Sequence, residues 1–79
     1  MNISLIGGGV MAEAIVNGIL GRRIAEATDV WIGEPVESRR EDLSSRYGIT
    51  TTRVNREAVQ HGDLVILAVK PQQLDEILD

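Results

Sequence analysis

Apolar and polar positions switch between two spacings along this chain, and the switches mark its elements. The stretch 2–6, "NISLI", has apolar Ile3, Leu5 and Ile6 and stops at glycine, which predicts a short buried strand. From Val10 to Leu20 the positions Val10, Met11, Ala14, Ile15, Gly18 and Ile19 follow helical spacing, with polar Glu13 and Asn17 between them. Gly21 is placed to stop that helix. "DVWIG", 29–33, predicts a second strand. A charged helix follows over 36–47, with Leu43 and Tyr47 inward, Glu37, Arg39, Arg40, Glu41 and Asp42 outward, and Gly48 at its end.

The second half continues the alternation. "ITTTR", 49–53, is short and β-branched, which predicts a third strand on a sheet edge. Asn55 is read as the N-cap of one or two helical turns to Gln60, closed by Gly62. "DLVILAV", 63–69, is almost wholly apolar and predicts a central parallel strand covered on both faces. Pro71 suits the first turn of a last helix that brings Leu74, Ile77 and Leu78 to one face. Strands alternating with helices predict an α/β fold with a parallel sheet. Right-handed crossovers and the doubly wound order place the strands 3-2-1-4, a partial Rossmann-type sheet. Such a domain normally has further strands, so residues 1–79 are expected to be the N-terminal part of a longer protein.

Composition narrows the partners. The 79 residues suffice for one domain, and 43% apolar with 25% charged residues is ordinary for a soluble globular chain. No apolar run approaches the ~20 residues of a membrane span, and the start lacks the pattern of a signal peptide. There is no cysteine, hence no disulfide framework and no thiolate metal site, which fits a cytoplasmic setting. A net charge of −4 without a basic run argues against nucleic acid as a partner, and Trp31 and Tyr47 alone make no base-stacking platform.

The informative feature is three consecutive glycines between the first strand and the first helix. Their spacing, Gly7-x-Gly9-x-x-Ala12, is a dinucleotide fingerprint. Gly7 permits a tight turn, Gly9 removes the side chain that would keep a pyrophosphate from the helix N-terminus, and Ala12 lets helix and strand approach. Gly8 fills the variable position. A carboxylate, Glu34, follows the second strand, where an acidic residue bonds a ribose 2′-hydroxyl. Arg39 and Arg40 nearby leave the choice of NAD or NADP open, because an arginine can accept a 2′-phosphate. Lys70 and Pro71, at the end of the apolar strand, lie where the strand order reverses and so should border the cofactor. His61, the one histidine, sits at a helix end and is assigned no catalysis. Met11 and Trp31 are read as core or cleft wall. No nucleophile–base pair or carboxylate dyad is recognisable, so no catalytic and no metal-ligating residue is assigned.

Two stretches resemble one family. "IGGGVMAEAI" is similar to the opening of the pyrroline-5-carboxylate reductases, and "NREAVQHGDLVILAVKPQ", 55–72, is similar to that family's run ending Ala-Val-Lys-Pro. The resemblance implies an NAD(P)H-dependent reductase that converts the C=N bond of 1-pyrroline-5-carboxylate to L-proline. It implies that Ile6, Gly7, Gly8, Gly9, Val10 and Met11 wrap the pyrophosphate. Asn55 would lie near the adenosine ribose, and Ala68, Val69, Lys70 and Pro71 along the nicotinamide side. It also implies that the imino-acid pocket and a homo-oligomer interface belong to a C-terminal helical domain, so that residues 1–79 alone would not turn over. "GEPVESRR" departs from the family's usual sequence after the second strand, which bears on the choice between NAD and NADP. Two other readings stay open: a β-hydroxyacid-type dehydrogenase, and a non-catalytic nucleotide-sensing module.

Overall fold

The computed structural model describes residues 1–69; the expected helix from Pro71 onward, with Lys70, lies outside them. Four strands, β1 (Ile3–Ile6), β2 (Val30–Gly33), β3 (Thr50–Thr52) and β4 (Leu64–Leu67), form one all-parallel sheet in the order β3-β2-β1-β4. Between them run α1 (Val10–Gly21), α2 (Glu37–Tyr47) and α3 (Asn55–His61), with a short 3-10 turn at Ala27–Asp29 that the sequence pattern did not announce. The expected strand order therefore stands.

The sheet sorts its side chains by the two-residue period of a strand. Ile3 and Leu5 of β1 and Val30 and Ile32 of β2 point to one face, where Ala12, Val16 and Ile19 of α1 and Leu43 of α2 complete the core. The opposite face carries Ser4, Ile6 and Trp31 and is covered by α3. Ser4 is fully buried there, and its hydroxyl donates to the Ala58 carbonyl of α3, so the buried polar group is satisfied. The Trp31 ring stacks on His61, with centroids 4.7 Å apart, while His61 Nε2 lies 3.2 Å from the Asp29 carbonyl oxygen. His61 is thus a packing residue at the strands' N-terminal end, on the side away from the glycines.

The structure corrects four local readings. The inward stripe of α1 is Ala12, Val16 and Ile19, with Ile15 and Leu20 partly buried, whereas Val10, Met11, Ala14 and Gly18 are exposed. Val10 and Met11 share the first turn with fully buried Ala12, so they face away from the sheet and not toward it. Gly21 is the last helical residue and does not make the stop. The chain reverses at Arg23, which takes the left-handed conformation at φ 56°, while Arg23 N–H donates to the Leu20 carbonyl and Ile24 N–H to the Ile19 carbonyl. That is a Schellman ending with arginine where glycine is usual.

The third correction concerns Asn55, which is the first helical residue, the N-cap position being Val54. Thr52 secures this helix start: its hydroxyl accepts the Val54 N–H at 3.1 Å and donates to Glu57 Oε1 at 2.7 Å. The fourth concerns β4. It pairs only with β1 among the described residues, and Leu64, Val65 and Leu67 are exposed, so it is an edge and not a covered central strand there.

Candidate functional site: the glycine loop and the strand ends

The C-terminal ends of β1, β2 and β4 converge on the glycine turn. Gly7 N–H donates to the Gly33 carbonyl at 2.8 Å, and Ala68 N–H to the Ile6 carbonyl at 2.9 Å. Gly7 has φ +101°, and a Cβ there would stand 2.7 Å from the Ala68 carbonyl oxygen and from Val69 Cγ1. Only glycine meets both demands, a left-handed backbone and contact with the end of β4. Gly9 differs. It is the N-cap of α1 with an ordinary φ of −82°, and a Cβ added there would meet nothing within 4 Å. Open space therefore fronts the start of α1, and no side chain caps the helix. The first amides of a helix have no intrahelical partner, so those of α1 face that space with the positive end of the helix dipole.

Glu34 closes the floor of this region. It is 8% exposed, and both carboxylate oxygens are engaged at 2.8 Å, Oε1 by Gly8 N–H and Oε2 by Val36 N–H. The carboxylate expected to face a ribose is thus tied to the glycine turn and to its own loop. Gly33 beside it has the Asn55 side chain packed against its Cα, so β2 and the start of α3 approach closely at this end. Asn55 is half-buried.

The two arginines that the sequence left undecided are committed to backbone. Arg39 Nε donates to the Gly8 carbonyl at 2.7 Å, and its Nη2 reaches the Gly9 carbonyl at 3.5 Å. The same guanidinium pairs with Glu13 and Asp42, each at 3.2 Å. Arg40 Nη1 donates to the carbonyls of Glu34 and Pro35 at 2.9 and 2.8 Å. Arg39 therefore holds the glycine turn and Arg40 holds the β2–α2 turn. Spacing alone did not reveal these contacts: Arg39 reaches back about 30 positions to the glycine turn, and Arg40 folds back on carbonyls of its own loop.

Beside the loop, Glu13 gathers donors from α2. Tyr47 Oη donates to it at 2.7 Å and Arg46 pairs with it at 2.9 Å. The hydroxyl of Tyr47 first, and Arg39 second, hold the Glu13 carboxyl below its ordinary range. The same bond pushes the Tyr47 phenol up. Asp42 chiefly, with Glu13, raises Arg46. Among the described residues no group of three or more His, Cys, Asp or Glu side chains could hold a metal, and no helix is long and apolar enough to cross a membrane. Ile6, Gly7, Gly8, Gly9, Val10, Met11, Glu34, Asn55, Ala68 and Val69 all lie at this end of the sheet. Lys70 and Pro71 lie outside the described residues.

A parallel sheet in the order β3-β2-β1-β4, with a glycine turn opening its first helix, defines a Rossmann-type α/β domain. The chain belongs to the family described as NADP oxidoreductase, coenzyme F420-dependent, whose model matches residues 2–79. It is 37% identical over 78 residues to the pyrroline-5-carboxylate reductase of Synechocystis, covering 99% of this chain and 29% of that protein. To the same enzyme of Vibrio alginolyticus it is 37% identical over 75 residues, covering 95% of this chain and 27% of that one. The solved pyrroline-5-carboxylate reductase of Coxiella burnetii superposes with a TM-score of 0.88 at 32% identity, over 96% of this chain and 28% of that one. The expected likeness to these reductases thus runs along the whole chain, which spans less than a third of their length.

Proposed function

We propose that this chain is the dinucleotide-binding part of a longer pyrroline-5-carboxylate reductase, and that it prefers NADH. The observation that carries the reading is Gly9: a non-strained glycine at an uncapped helix start, with open space where a side chain would stand. That is the shape a pyrophosphate needs to reach the amides of α1. Exposed Val10 and Met11 on the first turn add apolar surface beside it. A bound nicotinamide dinucleotide would supply the hydride, and the chain's part is to hold the dinucleotide in place and orient it.

Glu34 supports the NADH preference. Its buried carboxylate is fixed by two backbone amides and keeps lone pairs for a ribose hydroxyl, while it repels a 2′-phosphate. In the whole protein, assembled as a homo-oligomer in the cytoplasm, the imino acid would be reduced against the nicotinamide held near Ala68 to Pro71. Residues 1–79 alone would bind cofactor without turnover. Calorimetric titration of the 79-residue chain with NADH, wild type against Gly9→Val, tests the reading. Binding by the wild type and its loss in a folded Gly9→Val chain is the expected result; equal binding by both, or none by the wild type, would overturn it.

A further inference from the structure

We propose that Arg39 is a positioning residue that aims the amides of the glycine loop, resting on the reading of that loop as a dinucleotide site. The peptide bonds are trans, so each carbonyl points opposite to the N–H of the next residue. Arg39 Nε draws the Gly8 carbonyl toward α2 at 2.7 Å, which turns the Gly9 N–H the other way. Its Nη2 reaches the Gly9 carbonyl, which also accepts the Glu13 N–H at 3.0 Å, and this turns the Val10 N–H outward in the same manner. Glu34 Oε1 takes the N–H of the same glycine, Gly8. A loop of three glycines has little conformational preference of its own. Glu34 takes the N–H of the Gly7–Gly8 peptide and Arg39 the carbonyl of the next, Gly8–Gly9, and together they supply the missing orientation.

The guanidinium is suited to this task and poorly placed for another. Glu13 and Asp42 hold it in position, and its planar fork reaches both carbonyls from two nitrogens in fixed geometry, which an ammonium lacks. With four of its five donors engaged by carbonyls and carboxylates, Arg39 acts on the cofactor through the loop and not through a 2′-phosphate. The prediction is a loss of affinity that ignores the 2′-position.

The test measures NADH and NADPH affinities for the wild-type 79-residue chain, Arg39→Ala and Arg39→Lys, together with the backbone amide signals of Gly9 and Val10 in the ligand-free proteins. Arg39→Ala should weaken both cofactors by the same factor, roughly 10-fold for a charge-assisted bond. Arg39→Lys, which keeps the charge but not the fork and preserves the fold if alanine does not, should lose part of that affinity for both. The Gly9 and Val10 signals should move in each variant while those of β3 stay. Loss confined to NADPH would mean direct phosphate contact and would overturn the proposal, as would unchanged affinities. A wild type that binds neither cofactor defeats the dinucleotide reading itself; unmoved Gly9 and Val10 signals defeat the role of Arg39 in setting the loop.

Discussion

Glu34 Oε1 accepts the Gly8 amide across 2.8 Å, joining the end of β2 to the turn that follows β1. One side chain thus fixes the spacing between two loops, and in the reading proposed above its carboxylate would face the 2′-position of the cofactor. Glu34→Ser should raise affinity for NADPH relative to NADH by at least about tenfold, since like charges brought together cost several kcal/mol. It should also destabilise the fold by roughly 1–3 kcal/mol through the two unpaired amides. Dissociation constants for both cofactors, with a denaturant titration, check it. The family description names NADP; a wild type that already prefers NADPH would refute the role given to Glu34.

Arg23 offers a stabilising change. It adopts φ 56° at the position after the α1 cap, a conformation that costs an L-residue about 1–2 kcal/mol. Arg23 is exposed and makes no side-chain bond among the described residues. Arg23→Gly should therefore raise stability by about 1 kcal/mol and the melting temperature by roughly 4–8 °C. Thermal unfolding followed by circular dichroism measures it; an unchanged or lower midpoint would contradict the strain.

The Glu13–Tyr47 bond predicts a defined pH response. The folded Glu13 carboxyl titrates below its ordinary 4.5, so its contribution is complete above that value and is lost as pH falls through the lower folded value. The folded Tyr47 phenol titrates above its ordinary 10.0, so its contribution is complete below that value and is lost as pH rises through the raised one. Glu13→Gln should be less stable than wild type at pH 7 and should converge with it in acid below the folded Glu13 value. Urea midpoints across pH decide it, and a constant difference down to strong acid would show that the charge of Glu13 contributes nothing.

The free side of β4 predicts association. Leu64 is 47% and Leu67 48% exposed on a strand that pairs with β1 alone among the described residues. Unpaired strand edges of this kind pair with other chains, and a second copy presents the same edge. The 79-residue chain should self-associate with rising concentration, and Val65→Lys should suppress this. Light scattering over a concentration series measures it. A wild type that stays monomeric throughout would show the edge to be protected.

The fold was legible in the residues because its determinants are local. Short apolar runs at β1 and β2, a 3.6-residue stripe in α1 and the three glycines between strand and helix announce β–turn–α, and chain handedness then restricts the strand order to few choices. Even so, the α1 stripe was placed one position off, since Val10 and Met11 look as apolar as the residues beneath them. Which face is buried depends on how α1 is rotated against the sheet, and no window of α1 contains that information.

What the chain alone determined is therefore the element order and the need for glycine at Gly7. Only the tertiary structure decided what Glu34, Arg39 and Arg40 do. Each is an ordinary charged residue near a strand end, equally able to meet a ribose, a phosphate or water. Apart from the Glu13 and Asp42 carboxylates that pair with Arg39, their partners are main-chain groups, which every residue has and which carry no sequence mark. Gly8 N–H and the Gly8 and Gly9 carbonyls become available to Glu34 and Arg39 only after β1 and β2 pair and α2 packs beside α1. A hydrogen bond extends about 3 Å, and chain folding alone brings residues 30 positions apart within that reach.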